Sequence, residues 1–302
     1  MSDILSDYIN DKATTHILNK YIYAFMKYLN SSKRLNQKTL YLHIKYVELF
    51  DRYLYYYHQT LDLKDINEKT IDEYKIFCRD SLKNNNKTIN KKLNSLNKFF
   101  SYLTKYKKLY PYNIMLNVSY VKNEEEKKPT IFSTSELILL FDMMRKYIYG
   151  YRDISVSKII LETGLLTKDV LNLKINQLSI ENKMLYITGP KDEKRIYELS
   201  SNLINELIQY LHLRDSFNKN DSEYLFLSKR GNKYSIRSYQ LFFEEAVLRC
   251  DLANTYTPRH LRSTFLYNIS KIVKEDRLKE IASQNTVKQY YELAENPLRN
   301  II

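Results

Sequence analysis

Glycine and proline are scarce in this chain: of 302 residues, four are glycine and five are proline. Turn-rich all-β folds need glycine at left-handed turn positions, and nucleotide-binding sheets need it where a loop approaches phosphates. Both are disfavoured, and a mainly helical protein is expected. Cysteine is scarcer still. Cys78 and Cys250 lie far apart and Cys78 falls in a helical pattern, so neither a disulfide framework nor a zinc site is expected and both should be reduced core residues. Tryptophan is absent. No apolar run reaches the roughly eighteen residues of a membrane span, and the first residues lack a basic segment followed by an apolar one, so the protein is expected to be cytoplasmic.

What is present is positive charge. Lysine and arginine total 48 against 35 aspartate and glutamate, giving a formal charge of +13 and a pI near 9.3. That balance suits a polyanionic partner: DNA, RNA or an anionic membrane face. A chain of this length with 44% hydrophobic and 14% aromatic residues is long enough for two domains with separate cores.

Apolar residues recur at helical spacing through Leu18, Tyr21, Ile22, Phe25, Met26 and Leu29, which predicts a first helix over 17–29. A second helix is predicted from Lys38, with Leu42, Val47, Leu49, Phe50 and Leu54 on or near its buried face. A third follows an Asn67 cap, with Ile71, Tyr74, Phe77 and Cys78 inward. The fourth carries Ile89, Leu93, Leu96, Phe99, Phe100 and Leu103. Residues 1–118 therefore read as a bundle of four or five helices. On the polar side of the fourth helix, Lys87, Lys91, Lys92 and Lys98 are candidates to face phosphates, with solvated lysines the alternative. Tyr53, Tyr55, Tyr56 and Tyr57 read as core aromatics before they read as a base-stacking surface.

Residues 119–130 are charged, poor in apolar residues and closed by Pro129, which makes them the expected linker. Beyond it, 131–302 begin with a capping box at Ser133 or Ser135, and a tight turn is expected at Thr163-Gly164. A switch to period two with a turn at Gly189-Pro190 predicts a small hairpin or three-stranded sheet. Helices then resume at Asn202, Ser238 and Pro258. Arg259 and Arg262 lie one helical turn apart, and the Tyr290-Tyr291 pair follows about thirty residues later. This combination is suited to holding a phosphate and attacking it.

Over nearly its whole length the chain resembles the tyrosine recombinase, or phage-type integrase, family. The segments that carry the resemblance are Thr88-Ile89-Asn90 with Phe99-Phe100, the Tyr151–Ile180 stretch, the hairpin through Gly189, Glu223–Gly231 and Tyr256–Ile269. The resemblance implies a mainly α fold with a small β-sheet: an N-terminal core-binding bundle and a C-terminal catalytic-type domain, forming a clamp around double-stranded DNA as a dimer or tetramer. It implies no membrane, no small-molecule substrate, and no metal or nucleotide cofactor. A tyrosine attacks a phosphodiester to form a 3′-phosphotyrosyl link, two arginines hold the phosphate, and a lysine protonates the departing oxygen.

Residue by residue, the resemblance gives Tyr291 as the nucleophile with Tyr290 its neighbouring alternative, and Arg262 as the second arginine. Arg259 stands in the place of a usual histidine. Lys191 is near the hairpin-lysine position with Lys194 a second candidate. Arg259, Arg262, Lys191, Lys194, Lys87, Lys91, Lys92 and Arg237 are the expected DNA contacts. Two departures stand out. Leu166 occupies the place of the first arginine, and no histidine or tryptophan stands near Ile281-Ala282-Ser283-Gln284. Neither Lys168 nor Lys174 is at the helical phase to replace that arginine. The implied activity is therefore weakened or lost, with DNA binding retained; a working recombinase on an altered pocket is the alternative. The tail after Tyr291, with Leu293, Leu298, Ile301 and Ile302, is by resemblance a candidate contact to a neighbouring subunit.

Overall fold

A computed structural model describes residues 17–31, 35–59, 62–122, 128–188, 194–216, 218, 221–252, 256–282 and 287–295. The chain divides into two compact units, Met1–Glu126 and Lys127–Ile302. The described residues are mainly helical with one small sheet.

The N-terminal unit contains α1 (Asn19–Ser31), α2 (Gln37–Tyr57), α3 (Glu68–Asp80) and α4 (Asn86–Lys105). Each of the last three starts at an asparagine whose side chain accepts backbone N–H groups of the first turn: Asn36, Asn67 and Asn85. The expected cap at Asn67 is a full capping box, in which the Thr70 hydroxyl accepts the Asn67 N–H in return. Phe25, Val47, Phe50, Leu54, Ile71, Tyr74, Leu93, Leu96, Phe99, Phe100 and Leu103 close the core. Leu42, expected near the buried face of α2, is exposed. Val47, Phe50 and Leu54 set the inward stripe and Leu42 falls outside it. Of the tyrosine cluster, Tyr53 is buried and stacks on Tyr57 at 5.2 Å, while Tyr55 and Tyr57 keep exposed edges.

In the C-terminal unit, Ser133 is the residue that caps α5 (Thr134–Arg145), its box closed by Glu136. α6 (Gly150–Thr163) is buried along most of its length. It packs against α8 (Ser201–Asp215) and α10 (Pro258–Ser270) through Ile154, Ile159 and Ile160. It ends at Gly164, whose φ of +66° is the left-handed conformation that glycine favours. A Cβ there would lie 2.3 Å from the Phe265 ring. The short α7 (Thr167–Val170) follows. Then β1 (Leu178–Ser179), β2 (Met184–Thr188) and β3 (Lys194–Glu198) form an antiparallel sheet in that order, with Leu185 opposite Tyr197. The Gly189-Pro190 turn lies outside the described residues. α9 (Ile236–Arg249), α11 (Glu275–Ala282) and α12 (Lys288–Glu295) complete the unit. Leu293 is buried, and 296–302 lie outside the described residues. Among the described residues no helix is long and apolar enough to cross a membrane, and Cys78 and Cys250 are both buried and unbridged.

Candidate active site

The site is built around α10. Pro258 opens the helix, where its missing N–H costs nothing. His260 Nδ1 accepts the Thr257 N–H at 3.0 Å and closes the cap. Leu261, Ser263, Thr264 and Leu266 face inward, and the Thr264 hydroxyl accepts the Phe132 N–H at 2.8 Å, fixing the helix to the start of the unit. With that face fixed, Arg259 is exposed at the helix start and Arg262 is half-buried one turn on.

Arg262 is the structural centre. One Nη donates to the Gly164 carbonyl and the other to the Ala282 carbonyl, joining α10 to the turn after α6 and to the end of α11. Burial holds its guanidinium below the usual arginine range, offset in part by Tyr290, Asp169 and Tyr197. Asp169 is a neighbour that sequence reasoning misses. It follows Leu166 by one turn, and a carboxylate at that spacing beside an arginine-binding turn is the available signal.

Leu166 caps α7 and is 43% exposed, with an apolar side chain that offers a phosphate nothing. Neither nearby lysine takes over: Lys174 is paired with Glu223 at 3.0 Å, and Lys168 is exposed on α7.

The two tyrosines of α12 differ sharply. Tyr291 donates its hydroxyl to the Val273 carbonyl at 2.7 Å. Desolvation, followed by the carboxylates of Glu275 and Asp276, pushes its phenol above the ordinary tyrosine range, against the smaller effect of Lys279. A raised pKa makes the phenol a poorer source of phenolate. Tyr290 is buried among Leu266, Leu278, Ala282 and Val287, and of the two it is the one near enough to Arg262 to influence its guanidinium. The sequence does not separate them, because adjacent residues of a short helix differ only in which face they present.

The expected phosphate contacts divide as well. Lys87, Lys91, Lys194, Arg237 and Arg259 are exposed. Lys191 and Ser283-Gln284 lie outside the described residues. Lys92 is buried, with its ammonium 3.5 Å from the Cys78 sulfur and 5.8 Å from the centre of the Tyr74 ring, so it is withdrawn from any phosphate outside the bundle. Its position between Ile89 and Leu96 on the inward stripe of α4 accounts for this. Among the described residues no group of histidine, cysteine and carboxylate side chains is arranged to hold a metal ion.

Residues 132–296 match the phage integrase family. The tyrosine recombinase XerC of Leptospira interrogans is 25% identical over 251 residues, covering 82% of this chain and 79% of its own length. A tyrosine recombinase of Pseudothermotoga lettingae is 27% identical over 249 residues, covering 80% and 81%. Among solved structures, XerH recombinase bound to a palindromic difH substrate in a post-cleavage complex aligns with a TM-score of 0.72 at 17% identity, covering 96% of this chain and 97% of that one. A lambda integrase tetramer bound to a Holliday junction aligns with a TM-score of 0.69 at 16% identity, covering 95% and 80%.

Proposed function

The chain belongs to the phage integrase family of tyrosine recombinases, whose role is in DNA recombination, and from that premise we propose that it binds duplex DNA as an oligomer while its own strand cleavage is severely weakened. The observation that carries this reading is Leu166. A phosphorane transition state gathers negative charge, and an apolar side chain stands where the resemblance calls for a guanidinium. Arg262, with both Nη groups on backbone carbonyls, has fewer donors left for a phosphate. Loss of one such donor typically costs about a hundred- to a thousandfold in rate. DNA affinity depends less on any one group, because it sums over many phosphate contacts. The relatives bound to DNA in their solved structures, one of them a tetramer on a Holliday junction, support DNA as the partner and an oligomer as the working form.

A second reading is favoured by Tyr290. Of the α12 pair it is the one near enough to Arg262 to influence its guanidinium, and a phenol beside a phosphate-holding arginine is the arrangement of a nucleophile. If the chain cleaves DNA, Tyr290 is the residue that attacks, with Tyr291 in a supporting position.

A nicked suicide duplex carrying the protein's own site tests both readings. A denaturation-resistant protein–DNA adduct is measured in wild type, Tyr290→Phe, Tyr291→Phe and Leu166→Arg. The weakened reading expects specific binding with little adduct, and at least about a hundredfold more adduct in Leu166→Arg. Rapid wild-type adduct formation would overturn it, and loss of that adduct in Tyr290→Phe but not Tyr291→Phe would establish the second.

A further inference from the structure

A cavity of about 800 Å³ lies in the C-terminal unit between the end of α5, the start of α6, the loop through Ser228–Ser235 and the face of α9 that carries Ser238, Phe242 and Glu245. None of Leu166, Arg259, Arg262, Tyr290 or Tyr291 lines it. Its size is within the usual range of small-molecule sites.

The lining is strongly cationic. Lys146, Arg152, Lys229, Arg230 and Lys233 are among the lining residues, the Lys233 ammonium donating to Asn172 beside the cavity, and Glu245 is the only carboxylate among the lining residues. That carboxylate is already engaged by Arg249 at 3.0 Å. Lys229 and Arg152 approach the same Tyr149 ring, their charged groups 5.2 and 5.3 Å from its centre. Like charges gathered in a concave, partly desolvated place repel one another, and an anion between them relieves the cost.

Arg152 is the built part of this wall. It is 5% exposed, donates to Asp153 at 2.9 Å and to the Leu227 carbonyl at 3.1 Å, and stacks 3.6 Å over Tyr234. Two of its nitrogens are thereby satisfied, while its Nε is buried with no hydrogen-bond partner. The aromatic side chains of Tyr147 and Phe242, packed edge to face at 5.0 Å, also line the cavity, with Ile148.

We propose that this cavity binds a phosphoryl group carried on a flat ring system, the chemistry of a nucleotide, as a ligand rather than a substrate. The phosphate takes the cationic wall and the ring lies against Tyr147 and Phe242. The nucleotide comes either from solution or from a strand of nucleic acid, and competition distinguishes these sources.

The test is calorimetric titration of the full chain with AMP, inorganic phosphate and adenosine. AMP is expected to bind saturably and at least about tenfold more tightly than adenosine or phosphate alone. Combined Lys229→Ala, Arg230→Ala and Lys233→Ala replacements, all at exposed positions, weaken AMP at least tenfold with the unfolding temperature of the free protein retained. Tyr147→Ala weakens AMP but not inorganic phosphate. Displacement of AMP by excess duplex DNA assigns the site to a strand nucleotide, and retention assigns it to a free one. No AMP binding up to on the order of 10 mM, or unchanged binding in the triple variant, overturns the proposal. Equal affinity for phosphate and AMP overturns its aromatic half.

Discussion

The buried ammonium of Lys92 sits 3.5 Å from the Cys78 sulfur. Burial is the larger influence and holds it below the usual lysine range, with Cys78 offsetting part of that. A base whose pKa is lowered by folding binds fewer protons folded than unfolded. Folding is therefore penalised below the folded pKa, and the penalty lifts as pH rises toward the unfolded value of about 10.5. Lys92→Met keeps the volume and removes the charge. It should raise the unfolding free energy at neutral pH by about 1 kcal/mol or more, with a smaller gain near pH 10. Urea unfolding at the two pH values checks this, and a loss of stability at neutral pH would show that the ammonium contributes more than it costs. Gly164 is a second single-residue case. Its φ of +66°, and a Phe265 ring 2.3 Å from where a Cβ would sit, leave alanine strained in both backbone and side chain. Gly164→Ala should cost about 2 kcal/mol or more in the same measurement, and it should also loosen Arg262, which holds the Gly164 carbonyl.

Among elements, α10 depends on its cap. His260 must be neutral at Nδ1 to accept the Thr257 N–H. Burial first, and Arg259 second, hold its pKa below the usual histidine value. The unfolded chain therefore takes up a proton before the folded one does. The cap's contribution is complete above about pH 6.5 and is lost as pH falls through the lower, folded pKa. His260→Gln supplies an acceptor that does not titrate, so the fall in unfolding temperature between about pH 7 and pH 5 should shrink in this variant. The remainder belongs in part to His43, whose pKa burial also lowers. An undiminished pH dependence in His260→Gln would remove the cap from the account. Such elements are largely legible in the sequence. The apolar stripe of α4 predicts Ile89, Leu93, Leu96, Phe99, Phe100 and Leu103, all of them buried, and the caps at Asn67 and Ser133 are short-range patterns that tertiary structure has no reason to override. What stays hidden in the sequence depends on facing. Lys92 lies on the inward stripe despite its charge, and Tyr290 and Tyr291 share every local signal yet meet different neighbours. The cavity beside Arg152 joins segments from Lys146 to Glu245, about a hundred positions apart, so no spacing rule could assemble it.

For the whole molecule the governing quantity is a formal charge of +13. Charge of that sign favours a polyanion at long range, but only cations that displace counterions from phosphates produce a steep salt dependence. Binding to duplex DNA should therefore weaken linearly in log K against log salt, with a slope of about −0.9 for each phosphate contacted. The exposed and buried lysines of α4 make this a test of placement as well as of charge. Lys87→Ala and Lys91→Ala together remove two exposed cations and should flatten the slope by about two units. Lys92→Met removes the same formal charge as either of them but from inside the bundle, and should leave the slope unchanged. Fluorescence anisotropy on one duplex between about 50 and 200 mM salt measures all three proteins. If Lys92→Met flattened the slope by about half as much as the double variant, net charge alone would account for affinity. If only the exposed pair matters, the N-terminal bundle presents α4 to the DNA backbone, and affinity is set by which lysines the fold leaves outside.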